Sequence, residues 1–192
     1  MVKAMKSKKF SANIPALNNE ERAEAMKPFA DCINTNLEYG LIQALDVKGF
    51  NVLSKHIRAG LGSPNDPYFV AFARGLVALV DYVHSDDKIS IICDSDLETA
   101  FSCFQHLKGV QRVHPRVRDQ VISLSFANDD YFPALQAADM IAYIARLEAR
   151  RQFYGIPHNY RHLLEYLVDK RPEGSVTQWG VMFANEELLR SL

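Results

Sequence analysis

FPALQAADMIAYIARLEARR, residues 132–151, is a run of apolar helix formers that carries one carboxylate, Asp139, in its first half. A lone charge on an apolar helix face costs several kcal/mol unless it is paired, coordinated or solvated. Gln136, Asp139, Tyr143, Arg146 and Arg150 follow one another at spacings of three or four, so a helix gathers them into a single polar stripe. Either the stripe is a solvated helix edge, or its first turns face a site.

Working upstream, DQVISLSFA (119–127) has the short β-branched pattern of a strand, and DLETAFSCFQHLKG, from Asp96 to Gly109, reads as a helix closed by glycine. KISIICD (88–94) is a second strand that stops on Asp94, and PYFVAFARGLVALVDYVH (67–84) is an apolar helix opened by proline. Further up, EYGLIQALDV (38–47) reads as a strand, and NNEERAEAMKPFADCINTN (18–36) as a surface helix interrupted near Pro28. The alternation of strand and helix predicts an α/β class with parallel core strands, flanked by helices. Beyond Gly155, NYRHLLEYLVDKR predicts a helix and SVTQWGVMFA a strand. The division expected is a core over residues 1–155 and an extension over 156–192 packed on the same domain.

Composition narrows the class. The chain has 192 residues, 48% of them hydrophobic, with a formal charge of −1, which fits an ordinary globular protein and argues against a globally basic nucleic-acid binder. No signal peptide or membrane span is read, since the most apolar stretch is broken by Arg74 and Asp81. Cys32, Cys93 and Cys103 are odd in number and lack C-x-x-C spacing, so reduced core thiols and a cytoplasmic location are expected.

In parallel α/β sheets, sites form where strands end and helices begin. Asp94 stands at such a point, and Asp96 opens the next helix as a cap or a further oxygen ligand. If the stripe looks toward Asp94, then Asp94 and Asp139 together suit Mg²⁺ or Mn²⁺, hard cations that take carboxylate oxygens. His158 and His162 have the spacing of two zinc ligands on a helix, but no Glu follows the first and no third ligand is evident. HPRVRD (114–119), with Lys108 and Arg112, is read as a basic loop that is solvated or guides a phosphate backbone.

IICDSD after a long apolar helix, ALDVKGF where the family has a strand followed by Phe, and above all the Q-x-A-D-x-I-A-Y motif from Gln136 to Tyr143 resemble the DUF3800 family over roughly residues 10–155. The resemblance implies a ribonuclease H-like fold with metal-binding acids at strand ends, and a metal-dependent nuclease or phosphodiesterase. It implies that Asp94 and Asp139 are catalytic and hold Mg²⁺ or Mn²⁺, with Asp96 as a weaker ligand. Gln136 would orient Asp139 or a water, and Tyr143 and Arg146 would meet substrate, the arginine as a bidentate phosphate donor. The family's opening strand with Asp-Glu-Ser-Gly has no counterpart here, so an N-terminally incomplete domain is expected. Its loss would leave a hydrophobic sheet edge. The segment KKFSANI (8–14), the strand near 175–184, an upstream segment or another copy of the chain is expected to cover it. The rival expectation is a non-catalytic module that keeps the fold for interaction or nucleic-acid binding.

Overall fold

The computed structural model describes residue 21 and residues 24–94, 97–169 and 177–192. The Lys-rich head, the segment 8–14 and Asp96 lie outside the described residues. The chain divides into two compact units, one built from the segment up to Ile42 together with Pro133–Gly180, the other from Gln43–Phe132 together with Val181–Leu192.

In the first unit, Glu24 and Ala25 are helical, Met26 is a turn, and helix α1 (Lys27–Asn36) starts after it with Pro28 in its first turn, so the interruption expected near Pro28 is present. Strand β1 (Tyr39–Leu45) follows and runs on into the second unit. Helix α7 (Pro133–Tyr154) is the long apolar helix of the sequence, and it packs on α8 (Arg161–Val168), which in turn packs on α1. Gly155 ends α7 in the left-handed conformation with φ 66°, and its N–H returns to Arg151 O at 2.9 Å. Asn34, fully buried, ties the unit together: Nδ2 donates to Leu167 O at 3.2 Å, and Oδ1 accepts from Trp179 Nε1 at 3.3 Å. Its carbonyl accepts from the Thr177 hydroxyl at 2.9 Å, which anchors the start of strand β4 (Gln178–Ala184).

In the second unit, α2 (Val47–Val52) and α3 (Lys55–Gly60) are capped by Asp46 and Ser54, and α4 (Pro67–Tyr82) by Asp66. Strand β2 (Ile89–Asp94), α5 (Leu97–Val113), α6 (Pro115–Gln120) and β3 (Val121–Ala127) come next, and α9 (Glu186–Ser191) closes the chain. The basic segment at 114–119, expected as a loop, therefore contains a short helix with proline in its first turn and Val117 buried. Two cores fill the unit. Phe50, Leu53, Leu61 and Val70 meet Ala184 and Leu189, while Leu76, Val80, Leu107, Val110 and Val117 cover Ile89, Ile91, Val121 and Leu124.

The expected α/β class holds, but among the described residues its four strands form two two-stranded sheets, β1 with β4 and β2 with β3. β4 thus satisfies β1 and does not pair with the β2–β3 sheet. Gln178 N donates to Glu38 O at one end and Asp46 N to Ala184 O at the other, so β1 and β4 run parallel. β2 and β3 are also parallel, with Ile91 beside Leu124, Cys93 beside Phe126 and Asp94 beside Ala127. The register slips between Ile89 and Ser90, leaving Ile122 as an extra residue, and this lets both Val121 and Leu124 face the helices. The opposite face presents Ser90, Ile92, Asp94, Ser123 and Ser125, all exposed. Among the described residues no helix is long and apolar enough to cross a membrane.

Candidate functional site

Asp94 is the last residue of β2, exposed, on the sheet face turned away from the helices and three residues before α5 begins. Period-two alternation puts it there: Ile89, Ile91 and Cys93 turn inward and Ser90, Ile92 and Asp94 outward. A carboxylate in that position is open to solvent.

Asp139 lies on α7 and belongs to the first unit, whereas Asp94 belongs to the second. The stripe read from the sequence is present on the helix surface. Gln136, Arg146 and Arg150 are exposed and Asp139 and Tyr143 half-buried, while Met140, Ile144, Ala145 and Ala149 are buried. Tyr143 stands edge-on to Tyr160 at 6.1 Å between ring centroids, and the Arg146 guanidinium lies over the Tyr143 ring at 5.4 Å. This contact sets the exposed Arg146 guanidinium against an aromatic ring on the helix surface. Among the described residues no group of three or more His, Cys, Asp or Glu side chains is gathered as a metal cluster. The donor set read from the sequence consists of carboxylates alone, which suits a hard divalent cation with water or phosphate oxygens as further ligands.

Glu148, which the sequence reading passed over, is a buried carboxylate at 5% exposure. Arg151 grips it through two nitrogens, Nε to Oε2 at 2.9 Å and a terminal nitrogen to Oε1 at 2.5 Å, and Gln152 donates to Oε1 at 3.0 Å. His158 Nε2 lies 3.0 Å from Oε2, and its Nδ1 accepts the Tyr160 N–H at 3.2 Å. With Nδ1 accepting, the Nε2 hydrogen is donated to the carboxylate. The Arg151 guanidinium and these further donors outweigh burial and bring the Glu148 carboxyl from its ordinary 4.5 down to about 2. The sequence did hold a signal. Glu148 follows Ile144 and Ala145 on the apolar stripe, and its partners stand three and four residues on.

The same geometry disposes of the histidine pair. His158 lies in the loop before α8 and His162 within it, so the spacing is not helical, and both nitrogens of His158 are already engaged. The cysteines need one correction. Cys103 is buried and Cys93 half-buried, but Cys32 is exposed on α1. Burial pushes the Cys93 thiol up to about 11 and the Tyr68 hydroxyl to about 12, which leaves Cys93 a poor nucleophile. In the basic segment, Arg116 is bound to Asp81 at 3.1 Å and Arg118 to Asp119 at 2.9 Å.

No family model, curated protein or solved structure matches the chain.

Proposed function

We propose that the chain is a ribonuclease H-like protein of the DUF3800 type that hydrolyses phosphodiester bonds with Mg²⁺ or Mn²⁺. The observation that supports this most is Asp94, an exposed carboxylate at the carboxyl end of a parallel strand and directly before a helix, where α/β enzymes build their sites. The Gln136–Tyr143 motif adds to it, since the motif occupies one helix that follows the next parallel strand.

On this reading Asp94 at the end of β2 is an oxygen ligand of the cation, and the resemblance to DUF3800 implies Asp139 and, more weakly, Asp96 as the others. When bound, the cation supplies an activated water and charge stabilisation for the leaving oxygen. Gln136 orients a carboxylate or a water through its amide. Arg146, exposed and set against the Tyr143 ring, supplies a guanidinium that can bind a phosphate through two N–H donors. Tyr143 fixes that arginine and flanks the substrate.

Mn²⁺ or Mg²⁺ at about a hundred times its dissociation constant stabilises a binding protein by about 2.7 kcal/mol, which for this size raises the melting temperature by about 5–10 °C. Asp94→Asn and Asp139→Asn are each expected to abolish that rise and metal-dependent cleavage of a nucleic acid. If the cations neither raise the melting temperature nor support cleavage of any nucleic acid, and Asp94→Asn changes nothing, the enzymatic reading is overturned.

A second reading, a non-catalytic module, is favoured by the open face of the β2–β3 sheet. Parallel sheets are ordinarily covered on both faces, and here Ser90, Ile92, Ser123 and Ser125 are left exposed. That surface suits the docking of another molecule.

A further inference from the structure

Between Thr99 and Arg118 the chain contains no carboxylate, while it carries Lys108, Arg112, Arg116 and Arg118. Arg116 and Arg118 are held in ion pairs with Asp81 and Asp119. Lys108 is exposed and bonds to the neutral Gln111 amide, at 3.1 Å, and Arg112 is exposed; among the described residues neither pairs with a carboxylate. Both lie on α5.

The inner side of α5 is fixed by packing. Cys103, Leu107 and Val110 are buried, and His106 stacks face to face on Phe69 with ring centroids 3.9 Å apart. On the opposite side, Phe101, Phe104, Lys108 and Arg112 follow at spacings of three, four and four, which at 100° per residue confines them to one narrow stripe. Phe101 is 68% exposed and Phe104 48%, a large apolar area to leave in water on one helix. The Lys108 ammonium sits 5.4 Å from the Phe104 ring centre, so aromatic and cation already share one surface. From Phe101 to Arg112 the stripe is about 16 Å long.

We infer that this stripe of α5 is a docking surface for single-stranded nucleic acid: Phe101 and Phe104 stack on bases, and Lys108 and Arg112 neutralise the phosphates beside them. Bases offer flat apolar faces and the backbone offers regularly spaced negative charge, the complement of exposed rings followed by free cations. A duplex hides its base faces, so the two phenylalanines select the unpaired strand. An acidic peptide would satisfy the cations but leave most of the aromatic area in water. The stripe begins about one turn from the end of α5 that adjoins Asp94, so it names unpaired strands as the substrate class of the phosphodiesterase reading and in that respect rests on it.

Binding of a fluorescent oligothymidylate by the full chain, followed by anisotropy in EDTA, separates this surface from cleavage. Phe101→Ala and Phe104→Ala are each expected to weaken binding about tenfold. Lys108→Gln and Arg112→Gln are each expected to lower the slope of log affinity against log salt by about 0.7. All four side chains are exposed, so unchanged melting temperatures accompany these losses. The matching duplex is expected to bind more weakly than the single strand. Binding that obeys these substitutions in a chain with no cleavage upholds the docking surface and sinks only the phosphodiesterase reading. Cleavage with binding indifferent to all four substitutions, equal affinity for the duplex, or no binding overturns the docking surface. So does self-association that Phe101→Ala abolishes while the oligonucleotide stays unbound.

Discussion

At the scale of single residues, Glu148 is a buried carboxylate held by Arg151, Gln152 and His158. Its folded carboxyl is held at about 2, below its ordinary 4.5, by Arg151, Gln152 and His158. A depressed acid contributes stability that is present above its unfolded value and is lost as pH falls through the folded one. The window of loss therefore runs from about pH 4.5 down to about 2, and the contribution above it is on the order of 3 kcal/mol. Glu148→Gln is expected to lower stability at neutral pH by that order and to flatten the pH dependence across the window, as urea denaturation at a series of pH values would register. An unchanged acid limb in Glu148→Gln would assign the acid sensitivity to other carboxylates. His158→Ala leaves one lone pair of the carboxylate unmet and is expected to cost less than the loss of the charge.

At the scale of elements, the β1–β4 sheet rests on one close approach. A methyl group on Gly40 would run into the six-membered ring of Trp179, whose indole nitrogen is committed to Asn34. Gly40→Ala is expected to destabilise the fold by about 1–3 kcal/mol and to shift the Trp179 fluorescence, because the ring is the group that must move. Local signals made most elements legible: Asp66 and Pro67 announced α4, the β-branched run gave β2, and Gly155 marked the end of α7. The helix at 115–120 was missed because its segment buries only Val117 and Gln120, too little for a periodic signal to rise above its charges. Strand partnership was missed for a different reason. β4 carries no local mark of its partner, and what directs it to β1 is a set of contacts from Asn34 to Thr177 and Trp179, far apart in the chain. For the candidate site, Asp94 was legible because a strand signal ends on it, and the stripe on α7 because its spacing is helical. Glu148 was overlooked because its partners lie partly beyond the helix, in a loop whose path no local pattern fixes.

At the scale of the whole molecule, each unit is assembled from segments distant in sequence, and the chain passes between the units three times, after Ile42, Phe132 and Gly180. The core around Phe50 and Val70 is completed only by Ala184 and Leu189, which are 0% and 1% exposed. Leu189→Ala is expected to cost about 2–4 kcal/mol, large for a residue three from the end of the described residues, and thermal or urea unfolding would measure it. A loss below about 1 kcal/mol would mean that α9 is a surface appendage and not part of that core.

The two cores of the second unit also differ in when they can close during synthesis. The one beneath β2 and β3 draws on residues from Phe72 to Leu124 and has all its members once β3 has emerged from the ribosome. The one around Phe50 must wait for Leu189, about 120 residues after Val70, which at ordinary elongation rates is roughly ten seconds with Phe50, Leu53 and Leu61 lacking their lid. For that interval the nascent chain carries a finished half and an open apolar one, and it is the open one that a chaperone would meet.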